Sequence, residues 1–287
     1  MPKFWKYHGC GNDFVLVEDL EGSVSFSAHE IRRICDRHTG IGADGLLALR
    51  RSSSGTLRMD YWNSDGTRAE MCGNGFRCLV KHARDRGLVQ MDRLIVETGA
   101  GPRNCEVFLG ADGQVAEVKV DMGRPAGIPG DEAEGSSGFL VGRRIGLDGR
   151  ELRLLTISLG NPHAVLFEEG ATEGVARELG PQIENHELFP DRTNVEFARI
   201  TARNAFDLVV WERGCGVTQA CGTGACAAAV AGVMAHRLDA GEEIAVNLPG
   251  GTLRVTVEED LSRVWLRGPA VRVFEGHWPD AGVGGHR

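Results

Sequence analysis

At 287 residues, with 42% hydrophobic and 25% charged side chains, the chain has the composition of a globular protein and the length for two domains. Its net charge of −8 argues against a nucleic-acid partner, whose footprint would be basic. No stretch approaches the ~20 apolar residues of a membrane span and residues 1–6 hold no signal-peptide core, so no membrane partner and a cytoplasmic location are expected. None of the eight cysteines form a C-x-x-C pair, which speaks against zinc and thioredoxin-like sites and leaves reduced thiols and no metal as the expectation.

In chain order, the apolar run 14–17 reads as a buried strand. Ser27 and Glu30 form a capping box that predicts a helix to about 37. A glycine-rich turn over 39–45 leads into a strand at 46–49, and 57–62 alternates as another. Residues 63–66 carry turn chemistry. A helix should open at Cys72 and end at Gly87 as its C′ glycine. Strands are expected at 94–98, 104–109 and 115–120.

Residues 123–138, rich in Gly, Pro, Asp, Glu and Ser, read as a crossing segment or loop, with the domain boundary near its start. Beyond it come a strand at 152–159, a short helix at 172–179 and strands at 194–200 and 207–211. The next helix, from Cys221 to about 236, has an alanine-rich composition that predicts burial all round. Strands at 244–248, 251–257, 264–266 and 271–274 follow, and 276–287 reads as a loose tail.

Two stretches organise the chain: Cys72-Gly73-Asn74-Gly75 and Cys221-Gly222-Thr223-Gly224. Each opens a helix, whose N-terminus offers unpaired N–H groups and a positive dipole end to an anion. The same field is expected to lower a thiol's pKa toward neutrality. The cysteines lie 149 positions apart, as do Gly11-Asn12 and Gly160-Asn161. Those pairs lead into apolar runs closed by Glu18 and Glu168, and Asn63 falls opposite Glu212 at the same offset. Two copies of one unit imply two similar domains, since a solenoid needs at least three. Short strands with one long helix per half imply an α+β fold, each half a curved, mostly antiparallel sheet around a central helix. The halves are expected at 1–121 plus 269–287 and at 122–268.

These blocks resemble the diaminopimelate epimerase family over nearly the whole chain. The resemblance is carried by residues 8–15, 63–66, 71–75, Gly160-Asn161-Pro162-His163, Arg192-Thr193-Asn194-Val195 and 212–224. It implies a cofactor-independent amino acid epimerase with two pseudo-symmetric halves, a site in the cleft between them and a homodimeric assembly. It further implies Cys72 and Cys221 as the acid/base pair, with His163 and Glu212 tuning their pKa values. Substrate contacts are implied at Asn12, Asn63, Asn161, Asn194, Glu212 and Arg213, and at the backbone of Gly73, Asn74, Gly222 and Thr223. The chain departs from the family at Gly45, where some members carry glutamine. It also departs at Val217, where many carry glutamate, and at Phe274, where a tyrosine often stands at the subunit contact.

Competing readings are a proline racemase or hydroxyproline epimerase, a phenazine-biosynthesis-type isomerase and a thiol redox sensor. Asn74 argues against the first, which usually has histidine there, and retention of both cysteines argues against the second. Cys35, Cys78, Cys105 and Cys226 are expected to be ordinary core thiols.

Overall fold

The computed structural model describes residues 3–52, 57–127, 141–147, 149–167 and 172–278. Glu168, residues 128–138 of the crossing segment and residues 279–287 of the tail lie outside the described residues. The chain divides into two compact units, Met1–Lys119 with Pro269–Arg287, and Val120–Gly268.

Unit 1 begins with β1 (Lys3–Gly9), β2 (Asn12–Glu18), α1 (Ala28–Cys35), β3 (Gly45–Arg51), β4 (Leu57–Asn63) and β5 (Arg68–Ala69). It continues with α2 (Gly73–Asp85), β6 (Arg93–Thr98), β7 (Gly101–Leu109) and the start of β8 (Val115–Gly123). β2 runs antiparallel to β1 and parallel to β3; β4 is antiparallel to β3 and parallel to β6, and β7 closes antiparallel on β6. The helix α2 packs on β1 to β4, and every residue from 73 to 83 is buried. The capping box holds: Ser27 Oγ accepts from Glu30 N at 3.2 Å, and Glu30 accepts from Ser27 N at 2.8 Å.

β1 escaped the sequence reading for a physical reason. Lys6 breaks its apolar run, yet Lys6 is buried, paired with Asp13 at 2.6 Å and donating to the Gly42 carbonyl. A lysine inside a fully packed strand hides both the run and the alternation that mark strands in sequence.

Unit 2 holds β9 (Val141–Leu147), β10 (Arg150–Ser158), β11 (Pro162–Phe167), α3 (Glu173–Glu184), β12 (Asn194–Ala202) and β13 (Ala205–Glu212). Then come β14 (Gly216–Val217), α4 (Gly222–Met234), β15 (Glu243–Leu248), β16 (Gly251–Val257) and β17 (Val264–Pro269). β9, with Arg143, Arg144 and two glycines, carried no apolar pattern, but pairs along β10. α3 runs five residues past the predicted 179, through Pro181. Gly180 is required by packing: a Cβ there would lie 2.5 Å from the Trp211 ring.

The last strand, β18 (Val271–His277), belongs to unit 1 and pairs antiparallel with β1, setting Lys3 opposite His277. The tail therefore starts later than 276, because β1 supplies hydrogen bonds that sequence could not reveal.

The two units repeat one topology. The order β18-β1-β2-β3-β4-β6-β7 alternates antiparallel, antiparallel, parallel, antiparallel, parallel, antiparallel. The order β9-β10-β11-β12-β13-β15-β16 alternates identically. α2 and α4 start and end 149 positions apart, and α4 packs on β10, β11, β12, β15 and β16. Both helices end in a Schellman motif. Gly87 N donates to Arg84 O and Leu88 N to Ala83 O, at 3.0 and 2.9 Å. His236 N donates to Val233 O and Arg237 N to Gly232 O, at 3.0 and 2.8 Å.

Candidate active site

In unit 1 the half-buried Cys72 is the N-cap of α2, in extended conformation with φ −140°. Its thiol donates to Asn12 Oδ1 at 3.7 Å. Asn74 Nδ2 donates to the same oxygen at 3.0 Å. Asn12 Nδ2 in turn donates to Asp44 Oδ2 at 2.8 Å, so both ends of the Asn12 amide are held. Beneath them lies Arg77, fully buried, donating to Asn74 Oδ1 at 2.8 Å and to Gly73 O at 3.2 Å. The glycine-rich opening of α2 is thus tied down from inside. Gly73 and Asn74 are its first two residues, whose N–H groups lie ahead of any intrahelical acceptor. Asn63, at the end of β4, donates from Nδ2 to Thr67 Oγ1 at 3.0 Å within the predicted turn. Gly45 has no room for a side chain: a Cβ would lie 2.6 Å from both the Trp62 carbonyl and the Tyr61 ring.

In unit 2 Cys221 is the N-cap of α4 and is buried. Its sulfur accepts from Gly224 N at 3.4 Å and lies 3.5 Å from Thr223 Oγ1. Asn161 Nδ2 donates to Thr223 Oγ1 at 3.4 Å. Asn161 Oδ1 lies 3.0 Å from His163 Nε2, and His163 Nδ1 lies 2.6 Å from Glu196 Oε1. Glu212, at the end of β13, accepts from Thr218 Oγ1 at 2.5 Å, and its carboxyl neighbours the Cys221 thiol. Asn194 spends its amide on the backbone, donating to Pro162 O at 2.9 Å and accepting from Arg213 N at 3.0 Å. Arg213 is exposed and donates to Asp191 O at 2.9 Å.

The electrostatics of Cys221 overturn one expectation. Burial, then the neighbouring Glu212 and Glu196 carboxyls, push its thiol well above the ordinary value, against the helix N-terminus. Glu212 is itself pushed up by desolvation, so this pair favours protonated groups. Sequence showed the helix end but not the acidic groups brought beside it.

Sequence reasoning also missed Asp44, Arg77, Glu184 and Glu196. Glu184, on α3, accepts from Trp211 Nε1 at 2.7 Å and Gly214 N at 2.9 Å, and so fixes the turn after Glu212. The 149 offset could have flagged Glu196, which stands opposite Leu47. Among the described residues no group of three or more His, Cys, Asp or Glu side chains could hold a metal ion, and no helix is long and apolar enough to cross a membrane.

The family model described as diaminopimelate epimerase matches residues 4–128 and 155–273. A diaminopimelate epimerase from Desulforudis audaxviator is 44% identical over 281 residues, covering 96% of this chain and 99% of that protein. One from Leptospira biflexa is 40% identical, covering 95% and 97%. Among solved structures, a hydroxyproline epimerase from Agrobacterium vitis, crystallised with trans-4-hydroxy-L-proline, is similar with a TM-score of 0.69 at 16% identity. It covers 96% of this chain and 91% of that one. A phenazine biosynthesis protein of the PhzF family from Bacillus anthracis gives 0.67 at 18%, covering 96% and 98%. At those identities the two structures share the fold.

Proposed function

The chain belongs to the diaminopimelate epimerase family, and from that premise we propose that it converts LL-2,6-diaminopimelate to the meso form by two-base proton transfer. The observation that carries this reading is the repeated cysteine: Cys72 and Cys221 each cap a buried helix at the same place in a repeated topology. Inverting an α-carbon removes a proton from one face and returns one to the other, which two groups do and a single fixed base does not. One cysteine acts as thiolate and the other as thiol, and the roles exchange with direction. Burial and the acidic neighbours of Cys221 favour its protonated form, which suits it to the acid role.

The α-proton is weakly acidic, and the chemistry needs charge stabilisation on the carboxylate. The N–H groups of Gly73, Asn74, Gly222 and Thr223 are assigned to that carboxylate, as an oxyanion hole is to its oxygen. Asn12, Asn63, Asn161, Asn194, Glu212 and Arg213 are assigned to the rest of the substrate. His163 and Glu212 are assigned to tuning the thiols. In this reading no cofactor takes part. The enzyme is cytoplasmic, in keeping with eight cysteines present as thiols, and homodimeric, in keeping with the exposed apolar side chains of Val271, Val273 and Phe274.

The test is incubation with LL-diaminopimelate in D₂O under reducing conditions, followed by NMR and chiral separation. Loss of the α-proton signal with appearance of the meso form is expected without added pyridoxal phosphate. Absence of exchange would overturn the reading. Cys72→Ala and Cys221→Ala should each cost at least about 10²–10⁴-fold in turnover. Normal epimerisation by either variant would remove the two-base mechanism.

A further inference from the structure

Apart from its carboxyl's effect on the Cys221 thiol, Glu196 has no role assigned so far. It is fully buried, as is His163, and the two meet at 2.6 Å. Its second oxygen, Oε2, is buried without a hydrogen-bond partner. A half-satisfied carboxyl in a packed interior is costly and calls for a reason.

Unit 1 shows that the fold does not supply that reason. At the 149 offset Phe14 stands in place of His163 and Leu47 in place of Glu196, and both are fully buried. The places match in space as well as in sequence. A Cβ on Gly75 would lie 3.1 Å from Leu47 Cδ2 and 3.4 Å from Phe14 Cε1. A Cβ on Gly224, the counterpart of Gly75, would lie 2.9 Å from Glu196 Oε1. The same niche under the cysteine-bearing helix is filled by an apolar pair in one unit and by a polar pair in the other.

The protons of the polar pair can be placed. Asn161 Oδ1 only accepts, so His163 Nε2, 3.0 Å away, carries a hydrogen. The contact between Nδ1 and Oε1 then holds one further proton, on either atom, and both positions leave Nε2–H in place. Burial pushes the Glu196 carboxyl up, which favours such sharing. Without a partner at Nδ1, the single Asn161 contact is all that selects the tautomer, and an amide that turns over would select the other one. With Oδ1 held by His163, the Asn161 amide presents Nδ2 to Thr223 Oγ1, which touches the Cys221 sulfur.

We propose that Glu196 is a positioning residue: it holds His163 as an Nε2–H donor and thereby sets, through Asn161 and Thr223, the hydrogen bonding of the Cys221 thiol. Its meaning for turnover rests on the proposed function; the chain of contacts does not. This chain of contacts ends at Cys221, whereas the Cys72 thiol meets Asn12, whose amide is held by Asp44 and Asn74.

The experiment compares Glu196→Gln, whose amide can donate to Nδ1 as a protonated carboxyl does, with Glu196→Leu, which copies Leu47. Long-range ¹⁵N–¹H spectra of histidine-labelled protein read the His163 tautomer, with His163→Phe assigning the signals. Competitive iodoacetamide alkylation, read by peptide mass spectrometry, gives the ratio of Cys221 to Cys72 reactivity. Glu196→Gln should keep the Nε2–H signature and hold the ratio within about threefold. Glu196→Leu should lose the signature and shift the ratio by about tenfold. Its kcat should fall by about a hundredfold, with KM changing far less. An unchanged signature and ratio in Glu196→Leu overturn the proposal. If that variant does not fold, His163→Phe combined with Glu196→Leu installs the whole apolar pair of unit 1 and carries the alkylation readout. A shifted ratio then supports the proposal and an unshifted one overturns it. Failure of the wild type to epimerise diaminopimelate would sink the functional reading, while the spectra and alkylation still judge Glu196.

Discussion

The helices α2 and α4 hold corresponding places in the two units, yet opposite chemistry secures them. α4 buries alanine, glycine, cysteine and valine from 224 to 232. α2 buries Arg77, Lys81 and His82, where α4 has Cys226, Val230 and Ala231. Each buried polar group of α2 is tied. Lys81 pairs with Asp85 at 2.8 Å and donates to the Val115 carbonyl. His82 Nε2 meets Glu18 at 2.8 Å, and its Nδ1 meets the Tyr7 hydroxyl at 3.1 Å. The surrounding sheet sets where the helix lies, and either kind of core can fill the contact. What differs is the weakness each carries. A polar core suffers when one partner is removed, an apolar one when volume is added.

That contrast can be broken at several points. The largest effect should come from Asp85→Ala, which leaves Lys81 buried without its carboxylate and frees Val115 N, held by Asp85 at 2.8 Å. We expect a loss of about 3 kcal/mol in urea unfolding. Met234→Ala, at the corresponding position of the apolar helix, should cost less than half as much. Equal losses would erase the distinction.

Alkaline pH should weaken the thiol-rich core next. Burial raises Cys35 to about 11 and Cys105 to about 12. Their folded pKa values exceed the unfolded one, so the unfolded chain loses protons first as pH rises. Stability is therefore full below about 8.5 and falls above it, by about 1.5 kcal/mol per such cysteine up to pH 10. Cys35→Ala should flatten that fall by one cysteine's share, and an unchanged slope would remove Cys35 from the account.

Gly232→Ala should cost about 1 kcal/mol by overpacking. Its new methyl would lie 2.4 Å from Leu238 Cδ1, whereas the counterpart Ala83 already carries a methyl in unit 1. The smallest effect concerns the helix ends. His236 has φ +54° where Gly87 has +72°. His236→Gly should stabilise by about 0.5 kcal/mol in thermal unfolding, because glycine enters this region without a Cβ clash.

Much of this was legible without coordinates. The 149 offset, the capping box at Ser27, the C′ glycine at Gly87 and the cysteine-glycine openings of α2 and α4 are local patterns, written within a few residues of each other or repeated at one spacing. They carried the α+β class, the duplication and the two thiols as candidates. β1 was not legible because Lys6 is made apolar in effect by Asp13, a partner on another strand. α3 runs past 179 through a glycine that Trp211 demands, a contact made with a distant strand.

The sequence by itself therefore determined the periodic and local features, since propensities, caps and repeats act between neighbours along the chain. Only the tertiary structure decided the environment of each thiol. Cys72 and Cys221 have the same motif, yet β11, β12 and β13 bring His163, Glu196 and Glu212 to the Cys221 end of α4, while β2 and β3 bring Phe14 and Leu47 into the places of His163 and Glu196 in unit 1. Desolvation and charge depend on what distant strands deliver, and a motif alone does not contain that information.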